Sequence, residues 1–163
     1  MNTLTGTITE ITTEQNLSLV KALAGGFLFY SIVLDTPDSS PWLRKDAPIR
    51  LLFKETEVMI ALPTGNPLPI SVRNQLPCRI IAIHSGIVLC ELTLALTPLP
   101  TAPPPAADPA IQQNPALAES TSPAGGLQIK ALITRSACDD LALKENQHVI
   151  ALIKTNEVSL AYD

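Results

Sequence analysis

Ile49-Arg-Leu-Leu-Phe-Lys-Glu-Thr-Glu-Val-Met-Ile-Ala61 returns one hundred residues later as Val149-Ile-Ala-Leu-Ile-Lys-Thr-Asn-Glu-Val-Ser-Leu-Ala161. Leu52, Lys54, Glu57, Val58 and Ala61 have identical counterparts in Leu152, Lys154, Glu157, Val158 and Ala161, and Ala24-Gly25-Gly26 recurs as Ala124-Gly125-Gly126. Upstream the copies align at a different offset: Leu4-Thr-Gly-Thr-Ile-Thr-Glu-Ile11 matches Leu76-Pro-Cys-Arg-Ile-Ile-Ala-Ile83 when shifted by 72. The two offsets differ by 28, so a segment of that length interrupts the second copy between about Leu96 and Pro123. An internal repeat of this kind predicts two equivalent small domains. Their expected bounds are residues 1–66 for the first, degenerate repeat and 67–163 for the second, with the insertion at about 96–123.

Each repeat is near the lower size limit for a self-sufficient core, so packing of the copies on one another or on another subunit is expected. The net charge is −4, and no block of Lys and Arg forms a footprint for nucleic acid. Aromatic residues are only 4%, too few for a base-stacking surface. No apolar run spans a membrane, and the chain opens without a signal-like stretch, which makes the cytoplasm the simplest compartment. Cys78, Cys90 and Cys138 lack CxxC spacing, and the first two lie in apolar strand-like runs, as buried free thiols do.

The first copy reads as strands. Thr5 to Thr13 alternates polar residues with Ile, Leu17 to Leu23 follows, and Gly25-Gly26 turns into Phe27 to Leu34. Ile49 to Lys54 and Val58 to Leu62 close the copy, split by a Glu55-Thr56-Glu57 turn. The second copy repeats the plan over Arg79 to Ser85, Ile87 to Leu96, Leu127 to Thr134, Val149 to Lys154 and Val158 to Tyr162. Between its third and fourth strands, Ser136 to Leu143 has a cap-type Ser, two Asp expected in the first turn and apolar residues at helical spacing, which predicts one short helix. Five strands with a helix after the third is the order of an OB-like barrel, so the fold expected is all-β, two tandem OB-like five-stranded barrels. Pro98 to Pro123 holds eight of the fifteen prolines and cannot bury a core, so a disordered or polyproline loop is expected there.

Between the copies stands Leu68-Pro-Ile-Ser71-Val-Arg73-Asn74-Gln-Leu-Pro77. Ser71 and Arg73 are two apart and share a face in extended chain. With Asn74 they supply a hydroxyl, a permanent cation and an amide, a set suited to a small oxyanion and equally found in a solvated turn. Lys154 ends an apolar strand, and the first copy keeps Lys54 at the matching place; a structural reason for that lysine stays open. Thr134-Arg135-Ser136 adds hydroxyls at a helix start.

The stretch Ser71-Val-Arg73-Asn74 resembles the S-A-R-N motif that opens molbindin, or TOBE/Mop, domains. Thr134-Arg-Ser136, Leu141-Ala-Leu143, Val149 to Lys154 and Val158 to Ala161 resemble the remainder, so the likeness covers the chain outside the insertion. Such domains occur as molybdate stores, in a molybdate-responsive repressor and at the end of molybdate ABC transporter ATPase subunits, the last being the most similar arrangement. The resemblance implies molybdate or tungstate as bound ligand, held without catalysis at interfaces between subunits or repeats. It also implies a homo-oligomer, dimer or trimer, and a possible molybdate transporter ATPase domain or membrane permease as partner. Carried over residue by residue, Ser71, Arg73, Thr134, Ser136 and Lys154 would contact the oxyanion and Asn74 would brace the turn, with Lys54 as a weaker equivalent. The family's Ser three positions after the Thr is Ala137 here. In the first copy Arg73 aligns with Met1 and Leu34 replaces Thr134, so that copy is expected to bind anions poorly; the missing motif also suits a piece of a longer protein.

Another reading stands beside this one. The duplicated barrel could be a structural dimerisation or regulatory module that has lost its ligand. An enzyme is disfavoured: His84 and His148 stand without sequence-near partners, and no GxxxxGK[ST] loop for ATP is present. Deleting Pro98 to Pro123 and closing with a short turn is expected to leave the circular dichroism spectrum and molybdate affinity unchanged. Loss of binding in that variant would make the insertion part of the site.

Overall fold

The computed structural model describes residues 1–65, 67–98 and 126–162. The alternation at the start of the chain forms a 13-residue strand, β1 (Asn2–Glu14), which buries Asn2, Leu4, Gly6 and Ile8 and exposes the threonines between them. There follow β2 (Leu17–Ala24), β3 (Phe27–Val33), β4 (Pro48–Phe53), a 3₁₀ turn at Glu55–Glu57 and β5 (Met59–Ala61). The second half contributes β6 (Asn74–Ser85), β7 (Leu89–Leu96), β8 (Gln128–Thr134), the helix α1 (Arg135–Asp140), β9 (His148–Ile153) and β10 (Ser159–Ala161). All sheet neighbours are antiparallel, so the chain is nearly all-β, with two curled five-stranded sheets.

The copies agree in fine detail. A bulge interrupts β1 between Ile8 and Glu10, and the same bulge interrupts β6 between Ile80 and Ala82, 72 residues on. It bends each long strand so that its first half pairs with β4 or β9 and its second half with β2 or β7. At both bulges an outside loop satisfies the freed backbone. Ile8 exchanges hydrogen bonds with Ala47 and Asp46 (3.0 and 2.8 Å), and Ile80 with Gln147 and Asn146 (2.9 and 2.7 Å). Asp46 and Asn146 both take φ of 67°, a left-handed conformation that Asx residues tolerate.

The sheets exchange their last strands. The order is β10-β4-β1-β2-β3 in one sheet and β5-β9-β6-β7-β8 in the other. Met59 pairs with Leu152 and Ser159 with Leu52, the same register in both directions. Val58 to Leu62 was therefore expected in the wrong barrel, as was Val158 to Tyr162. The cause is the 3₁₀ turn after β4. There the Lys54 N–H donates to the Glu57 carboxylate (2.7 Å) and the Glu57 N–H to the Lys54 carbonyl (3.1 Å). Val58 is then buried, and the chain runs on instead of folding back on β4. The second copy repeats the turn through Glu157 N–H to the Lys154 carbonyl (3.0 Å) and buried Val158. A continuous apolar core, with Phe29, Phe53, Leu51, Leu76, Ile80, Leu92 and Ile153 fully buried, runs through both sheets.

Two other elements differ from expectation. The helix begins at Arg135, and its cap is not Ser136 but Thr134, whose backbone is extended and whose hydroxyl accepts the Ala137 N–H at 3.1 Å. Asp139 and Asp140 consequently close the helix instead of opening it, at the end where the dipole disfavours carboxylates, and Arg135 offsets this by gripping Asp139 at 3.1 Å. Strand β7 starts at Leu89 because Ile87 and Val88 form the exposed turn after β6. The proline-rich segment expected as a disordered loop lies outside the described residues beyond Pro98. No helix among the described residues is long and apolar enough to cross a membrane.

Edge strands β3 and β8 are each closed by an asparagine from the opposite half. Asn74 accepts the Tyr30 N–H at 2.7 Å and donates to the Tyr30 carbonyl at 2.8 Å. Asn2 does the same for Lys130, at 2.7 and 2.9 Å. Asn74→Ala should destabilise the protein by about 2–4 kcal/mol in urea unfolding, because two backbone groups lose their partners in a buried setting. A change below about 0.5 kcal/mol would show that water replaces the amide without cost.

Candidate functional site

The loop before β6 sets its side chains by strict alternation. Ser71 and Arg73 point to solvent, while Val72 and Asn74 are buried. Val72 packs on Ile150 and Leu152 of β9, with Leu68 and Ala61 against the same cluster. Ala61 belongs to the exchanged strand β5, so the first repeat supplies part of the platform under the loop.

The β6–β9 register pairs Asn74 with Ile153. One residue beyond that last pair, outside the ladder, come Arg73 and Lys154. These two cations, with Ser71, Val72, Thr155 and Asn156, line a surface cavity of about 180 Å³. Two like charges on one cavity wall repel each other. Among the described residues neither Arg73 nor Lys154 has a carboxylate partner or a hydrogen-bonded acceptor for its side chain. The cavity also lies on the seam between the sheets, since the Thr155 carbonyl accepts the Ile32 N–H from β3 at 3.1 Å. Chemically it offers a guanidinium, an ammonium, two hydroxyls and an amide: a set suited to a small, highly charged oxyanion.

Of the residues singled out in the sequence, Ser71, Arg73 and Lys154 meet in this cavity. Asn74 does not reach it: the side chain is fully buried and spent on Tyr30. Thr134 and Ser136 are exposed at the start of α1 and do not line it. Thr155 and Asn156 were missed, although the turn residues following a lysine kept in both copies were the signal available.

Lys54 lines a different hollow of about 130 Å³ with Glu57, Glu157 and Ser159. Glu55 stands where the second copy has Thr155 and pairs with the Met1 ammonium, which also borders the hollow, while Glu57 and Glu157 line it unmatched by further cations. This neighbourhood repels an oxyanion.

The remaining nucleophiles are sequestered. All three cysteines are free and buried. Burial pushes the Cys78 thiol up to about 12, so almost no thiolate exists at neutral pH. Burial, reinforced by Cys90, also raises Cys138. No group of three or more metal-ligating side chains occurs among the described residues.

Residues 120–160 match the TOBE domain. No curated protein matches the chain by sequence. Among solved structures the chain is similar to the cytoplasmic molybdate-binding protein ModG, in a crystal form with molybdate bound. That likeness has a TM-score of 0.75 at 23% identity and covers 99% of this chain and 96% of that one. It extends over both sheets, so the two-repeat architecture, and not only the TOBE segment, is shared.

Thr155→Glu gives the cavity of the second copy the carboxylate of the first. The new side chain should neutralise one of the two cations and lower oxyanion affinity by about tenfold or more, read by titration calorimetry. Unchanged affinity would mean that position 155 does not face the anion.

Proposed function

We propose that this protein binds molybdate or tungstate without catalysis, with the anion held by Arg73, Lys154, Ser71 and Thr155. The observation that carries this reading is that Arg73 and Lys154, next to the ends of β6 and β9, line one cavity and have no carboxylate partner among the described residues. A tetrahedral dianion relieves their repulsion and accepts hydrogen bonds from both, each charge-assisted bond contributing about 1.5–3 kcal/mol. The TOBE match over residues 120–160 and the likeness to a molybdate-bound protein support the same ligand. Selection against sulfate rests on cavity size, because both anions ask for the same donors.

The finer reading places the complete site between subunits of a homo-oligomer. Within one chain the cavity is open on its solvent side, and Thr134 and Ser136 stand apart from it; a second copy would be the source of those hydroxyls. The role follows as intracellular molybdenum storage, homeostasis or regulation of molybdate transport. The cytoplasmic description of the similar protein supports that compartment.

Titration of the chain with sodium molybdate, with sulfate as control and light scattering for mass, tests this. Saturable heat with molybdate alone is expected, and Arg73→Ala should weaken it by about 100-fold or more with the fold intact. Equal affinity in that variant would remove Arg73 from the site. No heat from a well-folded oligomer would favour the structural module that has lost its ligand.

A further inference from the structure

We infer that Gln75 is the positioning residue of the oxyanion seat, fixing Ser71 and Arg73 in place before any anion arrives. The inference rests on the oxyanion reading of the cavity. Gln75 is the second residue of β6 and is half-buried, facing away from solvent and toward the loop that precedes its own strand. Its Oε1 accepts the Leu68 N–H at 2.8 Å, and its Nε2 donates to the carbonyls of Leu68 at 3.2 Å and Val72 at 3.0 Å. Its backbone N–H donates to the Arg73 carbonyl at 3.1 Å.

One residue therefore holds both ends of the loop that carries Ser71. It also holds the carbonyls of the two peptides that flank Arg73. Val72 and Leu68 also anchor this loop, packing on the cluster of Ile150 and Leu152, but apolar contact fixes depth and leaves rotation about the chain free. Without the amide, Pro69, Ile70 and Ser71 would hang between Leu68 and Val72 with the single Ile70 N–H to Leu68 carbonyl bond at 2.8 Å. Arg73 is exposed between buried Val72 and the clamped Asn74, and the bonds of Gln75 to the carbonyls on both sides of it fix the rotation that burial alone leaves open.

The chemistry singles out glutamine. The loop presents one N–H and two carbonyls, so the side chain must accept once and donate twice, and a primary amide does both. Glutamate could accept from Leu68 but would set a negative charge against two carbonyl oxygens. The first copy has Thr3 at the matching position. Its hydroxyl has too little reach and too few donors for this task, and that copy also lacks the Ser and Arg of the motif. A seat built this way spends no binding energy on ordering its donors when the ligand enters.

The test is molybdate calorimetry on wild type, Gln75→Met and the same change on a Ser71→Ala background, with urea unfolding alongside. Gln75→Met keeps side-chain length and removes all three side-chain bonds. Affinity should fall by about tenfold or more in a variant that still folds with the wild-type circular dichroism spectrum, although its unfolding midpoint falls as well because the Leu68 N–H and the Leu68 and Val72 carbonyls lose their partner. The loss should shrink on the Ser71→Ala background, because a positioning effect is non-additive with the group positioned. Equal wild-type and Gln75→Met affinity, or full additivity, would overturn the inference and leave the oxyanion reading standing. A wild-type chain that gives no heat would overturn both. Hydrogen exchange on the unaltered protein is a second measurement: the Leu68 amide should be protected without anion, and free exchange there would overturn the inference even if the variants failed to fold.

Discussion

An edge strand in a small sheet leaves a row of backbone donors and acceptors to be satisfied, and this protein satisfies them with two asparagine side chains. Asn74 and Asn2 each present an amide that pairs with the N–H and carbonyl of one residue, Tyr30 on β3 and Lys130 on β8. The amide imitates one step of a strand ladder, and it blunts the edge against pairing with other chains. Both asparagines are the first residue of a long strand and reach across to the other half, so each contact is also a joint between repeats. The joint is reinforced where Ser31 on β3 donates to the Val158 carbonyl and where Ile32 N–H meets the Thr155 carbonyl. Neither half can close its own barrel; each uses an asparagine and a terminal strand from the other.

The candidate site is a consequence of that joint. Arg73 directly precedes the clamp residue Asn74, and Lys154 directly follows Ile153, the register partner of Asn74. Burying the asparagine on one face of the chain forces its neighbour out on the other, which sets the two cations side by side at the seam. The exchanged strand β5 adds Ala61 to the surface under Val72. The site thus rests on residues from both repeats although every side chain facing the cavity comes from the second.

Duplication supplied two such places, and electrostatics separates them. The turn after β9 reads Lys154-Thr155-Asn156-Glu157, and the turn after β4 reads Lys54-Glu55-Thr56-Glu57. The turn that launches the exchanged strand uses the last glutamate and only the backbone of the lysine: the Glu57 side chain accepts the Lys54 N–H, and the backbone bond to the lysine carbonyl recurs at Glu157. What distinguishes the copies is one hydroxyl in place of one carboxylate, together with the presence of Ser71 and Arg73.

By itself the sequence determined the repeat, the strands, the position of the insertion and the outward pairing of Ser71 with Arg73, because each of these follows from local periodicity or from alignment of the chain with itself. It also marked Lys154, through its twin. The swap of β5 and β10, the burial of Asn74, the helix start at Thr134 and the presence of Thr155, Asn156 and Gln75 around the loop were decided by tertiary structure. A strand of three residues carries no local mark of which sheet it will join; that depends on where the 3₁₀ turn sends it. An asparagine beside an arginine reads as a ligand until the opposite edge strand claims both of its polar atoms. Sequence spacing says which side chains share a face, but only the packing of the two halves says what that face meets.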